Sequence, residues 1–451
     1  MRSNTLGHLA LIAGVALLWA SSLSAQVEPG AAGGAIPEDD DARMDVPPLL
    51  TGTPYANTVG VETRQNIFTT AATVNVAYLD NVLPGSTPTP VADTTISINP
   101  SLNYNRSTPR QDEILQYSPS FAFYTPTSQL NAVNQSASGL FDGRLTRHLA
   151  LSLEDDFLRT SNIFDESYPL SLGGISGSVQ APVPAAIAPF AEQLRNAASA
   201  DVTYQFSRNG MVGGGTTFTN YIFPNPADSV GLYDSGEEGG SAFYNRRVAS
   251  RQYFGVTYEY DRILGYLESG NVETQTQNLL PFYSVFFSKT LSLSAAAGPV
   301  RWSVSQPGQQ TASSWTGATV LKMSWQGSKG NLTASFLRTV TSGGGLIGAF
   351  TSDGANLGGT WKFGRAWIGK VGFGYQEIEP IIPLNSVIYQ GGNSVMAQAS
   401  VVRTLGEHAT LECGYQHFYE QFKGIAAIAA DPNGDRAFAS FTYILRKPLG
   451  R

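Results

Sequence analysis

Cysteine is almost absent from this chain. Cys413 is the only one, so no internal disulfide can form, and its expected role is that of a small apolar residue on a strand. Histidine is scarce at four residues. His8 falls in the leader, and His148, His408 and His417 are scattered over expected turns and strands. No HExxH, CxxC, GxSxG or phosphate-loop pattern occurs. Gly343-Gly344-Gly345 lacks the Lys-Ser/Thr that a phosphate cradle needs. These absences point away from an enzyme, and no cofactor or metal site is expected. Charge is thin as well, at 14% of residues against ~25% in ordinary soluble chains. The formal net charge of −7 argues against nucleic-acid binding, which needs a basic face. After the leader no apolar run approaches the ~20 residues of a membrane-spanning helix.

What the chain has instead is glycine and aromatics: 47 Gly, 23 Phe, 20 Tyr and 6 Trp. A helical bundle would be weakened by that much glycine, and disordered chains are poor in aromatics. Sheets that face lipid use aromatics at the interfaces and glycine where strands bend or approach closely. The N-terminus reads as a secretory signal over residues 1–25. Arg2 supplies the positive region, Leu9 to Trp19 the short apolar core, and Ser21 to Ala25 the small-residue tail, with cleavage expected after Ala25. No cysteine stands at that site to carry a lipid anchor. Residues 26–65, with Glu38-Asp39-Asp40-Asp41, show no apolar period and read as a flexible periplasmic segment.

From about residue 66 onward the apolar period is two. Val74, Val76 and Tyr78 alternate with Asn75 and Ala77. Phe254, Val256, Tyr258 and Tyr260 alternate with Gly255, Thr257, Glu259 and Asp261. Strands of this kind bury one face in an apolar medium and keep the other polar. Eighteen are expected, with 16 as the alternative count: 66–79, 93–104, 113–124, 134–145, 149–160, 197–207, 210–221, 240–248, 251–262, 272–287, 290–300, 313–325, 330–341, 353–363, 366–376, 393–403, 408–420 and 435–446. Short connections follow even-numbered strands and long ones odd-numbered strands. This alternation predicts a transmembrane, antiparallel, up-and-down all-β barrel over residues 66–451, with both termini on the short-turn, periplasmic side of a Gram-negative outer membrane. Closure is the physical reason, because in hydrocarbon every backbone N–H and C=O must be paired and only a sheet without edges manages it.

The connection 161–196 is far longer than the others. Within it 184–198 reads as a short helix, with Ile187, Phe190, Ala191 and Leu194 on one face, and the segment is expected to control pore size. Asp155 falls on the lipid face of its strand, so either a bulge flips the parity or the residue sits at the outer rim. A Ca²⁺ site at Glu154-Asp155-Asp156 is discounted, since successive strand residues point to opposite faces. Parity places Asp142, Arg144, Glu154, Asp156, Asp201, Glu259, Asp261, Lys322, Lys362, Lys370 and Glu412 on the lumen side. These charges read either as a solvated wall or as acids on strands four to nine facing bases on strands twelve to fifteen. The second arrangement sets a transverse field across any channel.

Several stretches resemble a known family. Ala77-Tyr78-Leu79-Asp80-Asn81, Phe123-Tyr124-Thr125-Pro126-Thr127 and Thr160-Ser161-Asn162-Ile163-Phe164 are three of them. Tyr204-Gln205-Phe206-Ser207-Arg208-Asn209-Gly210 and the terminal Pro448-Leu449-Gly450-Arg451 are two more. Over roughly Phe68 to Arg451 the chain is similar to the beta-barrel porin 2-like family of outer-membrane proteins. The resemblance implies a barrel whose partners are outer-membrane lipid and the barrel-assembly machinery. Its motifs are structural, not catalytic. The expected function is a passive or weakly selective pore for small hydrophilic solutes, with a closed barrel serving envelope structure or export as the alternative.

Overall fold

The computed structural model describes residues 66–82, 89–161, 192–225, 231–267, 270–341, 345–346, 349–381, 391–423 and 433–449. The expected signal peptide, the segment 26–65 and most of the long connection lie outside them. The first strands are β1 (Ile67–Leu79), β2 (Asp93–Ser107), β3 (Gln111–Tyr124), β4 (Ala132–Arg144), β5 (Leu149–Thr160) and β6 (Gln193–Ser207). Next come β7 (Gly210–Ile222), β8 (Ser235–Ala249), β9 (Gln252–Gly265), β10 (Val272–Phe286), β11 (Leu291–Ser305) and β12 (Ala312–Gln326). The last are β13 (Gly330–Thr341), β14 (Phe350–Lys362), β15 (Trp367–Pro380), β16 (Gly391–Leu405), β17 (Ala409–Lys423) and β18 (Asn433–Pro448).

Each strand pairs antiparallel with its sequence neighbours, and β1 pairs with both β2 and β18, which closes the 18-stranded sheet on itself. All the expected strands are present. The connections between β2 and β3, β4 and β5 and so on are two to four residues long, and those at the other end are longer. The turn after β2 is a proper one despite Pro109: the Thr108 hydroxyl accepts from the N–H of Gln111 at 2.9 Å.

The two faces are chemically opposite. Val74, Val76, Tyr78, Phe254, Tyr258, Leu321, Phe373, Leu411, Phe441 and Tyr443 stand exposed on the outside. Asn75, Ser97, Ser152, Thr203, Asn278, Gln376 and Thr442 face inward and are enclosed. An apolar outside and a polar inside reverse the plan of a soluble protein and match a barrel surrounded by lipid. Cys413 is on the outer face, between Val401 and Ala439, as a small lipid-facing residue. A prediction follows from the parity. Phe373→Arg should cost about 2–4 kcal/mol if the site is near the bilayer midplane. Gln398→Arg on the inner face of β16 should cost well under that, as read from urea midpoints in lipid vesicles. Equal costs would refute the assignment of faces.

Two expectations are revised. Residues 193–198 are not the end of a helix. They open β6, pairing with β5 from Gln193 opposite Thr160 to Ala198 opposite Asp155, because continuing a ladder satisfies six residues of backbone that a short helix end would leave open. The long connection therefore spans 161–192. Asp155 needs no bulge: the β4–β5 and β5–β6 registers run through it unbroken. It points outward in the loop-side half of β5 and accepts a hydrogen bond from Asn196 Nδ2 at 3.0 Å. Above it, Arg159 and Glu192 form an outward ion pair at 2.5 Å. Arg262 with Glu273 at 3.0 Å, Arg338 with Asp353 at 3.1 Å and His417 with Asp435 at 2.7 Å continue this polar collar around the loop-side end. Carboxylates in that collar are rim residues, where their cost in lipid is small; Asp155, the seventh of the twelve residues of β5, lies nearer mid-strand and is offset by its bond from Asn196.

The ladder has two breaks. Pairing of β2 with β3 lapses between Ile98–Phe121 and Leu102–Tyr117, where Pro100 meets Pro119. Pairing of β10 with β11 lapses between Asn278–Val300 and Phe282–Ala296, where Pro281 and Pro299 lie on either side of Gly298. Proline has no N–H to give a ladder, so its rungs are lost.

Candidate functional site: the lumen

Every charged residue expected in the lumen has inward parity: Asp142 and Arg144 on β4, Glu154 and Asp156 on β5, Asp201 on β6, Glu259 and Asp261 on β9. Lys322 on β12, Lys370 on β15 and Glu412 on β17 do too, while Lys362 ends β14 at the short-turn rim. Asp155 faces the opposite way from Glu154 and Asp156, so the three carboxylates do not converge.

The acids are ordered by the register. One inter-strand row runs Asp112, Asp142, Ser152, Asp201, Gly215, Ser241, Glu259, Asn278 across β3 to β10. The next runs Glu154, Ser199, Thr217, Gly239, Asp261, Thr276. A third holds Asp156 and Glu237. Strands in such barrels tilt by about 35–45°, so these rows climb the wall obliquely. Asp112 is the second residue of β3 from the short-turn end, whereas Glu259 is the eighth of β9. Small neighbours make room for the acids. A side chain at Gly215 would strike Asp201 Oδ1, and one at Gly239 would meet Asp261 Oδ1 at 2.6 Å. Both carboxylates therefore lie across the adjacent strand instead of standing into the lumen. Asp142 accepts from Ser152 at 2.5 Å, Asp261 from Thr276 at 3.2 Å and Glu259 from Asn278 at 3.2 Å.

The bases are arranged differently from the expected opposing wall. Lys370 reaches across β16 to both oxygens of Glu412, at 3.2 and 3.1 Å, and Ser400 on the intervening strand donates to the same carboxylate at 2.6 Å. The pair is internally neutralised, with side chains only 8% and 16% exposed. It contributes little field to the channel. Lys322 is the mid-strand base left facing the acid rows.

One part of the inner wall, on β10 to β12, carries an apolar cluster that strand parity alone did not single out. Leu280 and Phe282 of β10, Val300 and Trp302 of β11 and Val320 of β12 form one inward cluster. Described residues of two connections at the long-loop end pack on it. Tyr233, before β8, and Ala349, before β14, pack against the cluster. The Tyr233 N–H donates to the Gly345 carbonyl at 2.8 Å, although β9 to β12 separate the two loops around the ring. Phe223 lies 2.6 Å and Leu232 3.6 Å from where a Cβ at Gly345 would stand, and Leu232, Leu346 and Phe350 are buried. The base of the first loop is fixed by Phe223 N–H donating to Asp234 at 2.8 Å. Apolar residues within a connection were the available sequence signal for this inward docking.

A closed antiparallel barrel with an apolar outside and a polar, charged interior defines the class: an outer-membrane β-barrel. It is the porin-type fold that the sequence motifs resemble. No protein-family profile and no curated protein matches the chain. Solved structures that resemble it include Pseudomonas aeruginosa OccK2 (OpdF), at 10% identity over 85% of this chain and 98% of that one with a TM-score of 0.42. OpdK of the same organism, crystallised with vanillate, aligns at 12% identity over 84% and 99% with a TM-score of 0.40. The siderophore receptor PirA, also from Pseudomonas aeruginosa, aligns at 11% identity over 85% and 81% with a TM-score of 0.38. At these values the architecture rests on the chain's own strand pairing.

Proposed function

We propose that the protein is a passive or weakly selective pore for small hydrophilic solutes, narrowed at its long-loop end by the docked segments around Tyr233 and Leu346. The observation that carries this is the polar inner face of an 18-stranded barrel. Barrels of 16–18 strands enclose an aqueous channel, and polar side chains line it where solute would otherwise lose its hydration. The connection 161–192 is proposed as a second element setting the pore's size. The chain would sit with its short turns toward the periplasm and depend on the barrel-assembly machinery for insertion. The inward docking of the loops also favours a second reading, a shut barrel with a role in envelope structure or export. Planar-bilayer recording of the refolded full chain separates the two. Discrete conductance steps are expected. Their absence from protein that shows heat-modifiable migration, and is therefore folded, would select the shut barrel.

A further inference from the structure

We propose that a groove on the outer face of the barrel, at the short-turn end of β8 to β11, binds one anionic phospholipid, with Arg251 on its phosphate. The groove measures about 570 Å³, within the range of ligand pockets. Its apolar wall is built by Tyr283 and Val285 of β10 and by Leu293 and Ala295 of β11. All four stand on the lipid side. Tyr283 pairs with Ala295 and Val285 with Leu293, and the same row joins Phe254 on β9 and Leu321 on β12. Ala295 is the small residue that leaves the groove open, between Tyr283 and Leu321. The opposite wall is the β8–β9 turn, from Ala249 to Gln252. A bulge between Arg247 and Ala249 precedes that turn, and bulges bend the strand that carries them. The Arg251 carbonyl accepts from the Phe286 N–H at 2.9 Å, which fixes the turn against β10 with Arg251 at the edge of the groove.

Charge selects the occupant. No Asp or Glu occurs at 239–258 or at 274–352, and these two stretches contain every residue that lines the groove. Arg251 is exposed, and among the described residues no carboxylate pairs with it. Arg246, on the outer face opposite Phe254, and Lys289, in the turn between β10 and β11, add two further bases. A guanidinium can bridge two oxygens of one phosphate, and Ser250 and Gln252 beside it carry hydroxyl and amide donors for the same group. A free phosphate would leave the apolar wall below Arg251 bare. An acyl chain covers that wall, and removing it from contact with water or headgroups adds to the charge contact. The heights agree as well. Headgroups lie beyond the hydrocarbon layer, level with the turn, and the chains run beside the strands below it. The inference holds whether or not the barrel conducts.

The test is native mass spectrometry of the refolded full chain in detergent, titrated with phosphatidylglycerol or with phosphatidylcholine of the same acyl chains. One phosphatidylglycerol per chain should be retained, about tenfold more tightly than phosphatidylcholine. Arg251→Gln should lower that preference about fivefold. Ala295→Phe fills the groove below the phosphate and should weaken both lipids. Lys329→Gln removes the same charge from the β12–β13 turn, outside the groove, and should change nothing. Heat-modifiable migration shows which variants are folded, and Arg251 lies in an exposed turn, so its variant decides the matter even if Ala295→Phe does not fold. Equal retention of the two lipids by the native chain would overturn the inference. An equal loss in Arg251→Gln and Lys329→Gln would overturn it too, since diffuse charge rather than the groove would then be responsible. Displacement of the lipid by inorganic phosphate would make this a site for free anions, and a preference for lipopolysaccharide over phosphatidylglycerol would assign it to another lipid; either result refutes the proposal.

Discussion

Replacing Lys370 by alanine is expected to destabilise the barrel by about 3–5 kcal/mol. The reason lies in what the substitution leaves behind. Glu412 would keep the Ser400 hydroxyl at 2.6 Å and lose both contacts from the ammonium group. Its side chain is 16% exposed, so water could not replace the lost charge. Removing one partner of a buried pair costs far more than the net worth of the pair, because the other charge remains desolvated. The double replacement Lys370→Met with Glu412→Leu should therefore recover most of the loss, with Ser400 as the one group left short of a partner. Urea midpoints of the single and double variants in vesicles check this. A double variant no better than the single one would mean that the ion pair itself, and not the stranded carboxylate, supports β15 to β17.

Replacing Leu346 by aspartate is expected to release the docked loops and raise single-channel conductance. Leu346 is 2% exposed, and burying a leucine contributes about 1.5–3 kcal/mol. An unpaired carboxylate in the same place costs several kcal/mol. The sum exceeds what the hydrogen bond from Tyr233 to Gly345 can hold, at about 0.5–1.5 kcal/mol net. The strands keep their ladder, so heat-modifiable migration should persist. Leu232→Asp acts on the other side of the same contact and should have the same direction of effect. Unchanged conductance in both folded variants would show that these loops do not narrow the path.

Much of this was legible in the sequence, and the reasons differ by element. Phe254 to Tyr260 declare a strand because alternation at period two has no other economical meaning in so short a run. The same alternation assigns Glu259 and Asp261 to the lumen without any knowledge of neighbours. The pairing of Lys370 with Glu412 was hidden because it depends on the accumulated shear between β15 and β17, and shear leaves no local mark. Asp155 had the right face but an unknown height, for the same reason. Residues 193–198 misled because Leu194 and its alanine neighbours suit a helix as well as a strand, and only the partner strand decides. The docking of Tyr233 and Ala349 on the β10 to β12 wall, with the Tyr233 N–H on the Gly345 carbonyl, joins two loops more than a hundred residues apart, and nothing local specifies it.

The proline-flanked breaks have a mechanical consequence. They fall between β2 and β3 and between β10 and β11, eight strands apart in a ring of eighteen, and so stand almost diametrically opposed. Bending stiffness in a sheet comes from its rungs, and two seams that each miss three rungs at mid-strand resist bending less there. A hoop with two opposed weaker seams responds to lateral pressure by ovalising, not by shrinking evenly. The shell from β3 to β10, which carries the whole acidic band, would then bend against the shell from β11 round to β2. The short axis of the resulting ellipse, rather than a mean diameter, becomes the dimension that lateral tension in the surrounding bilayer can tune.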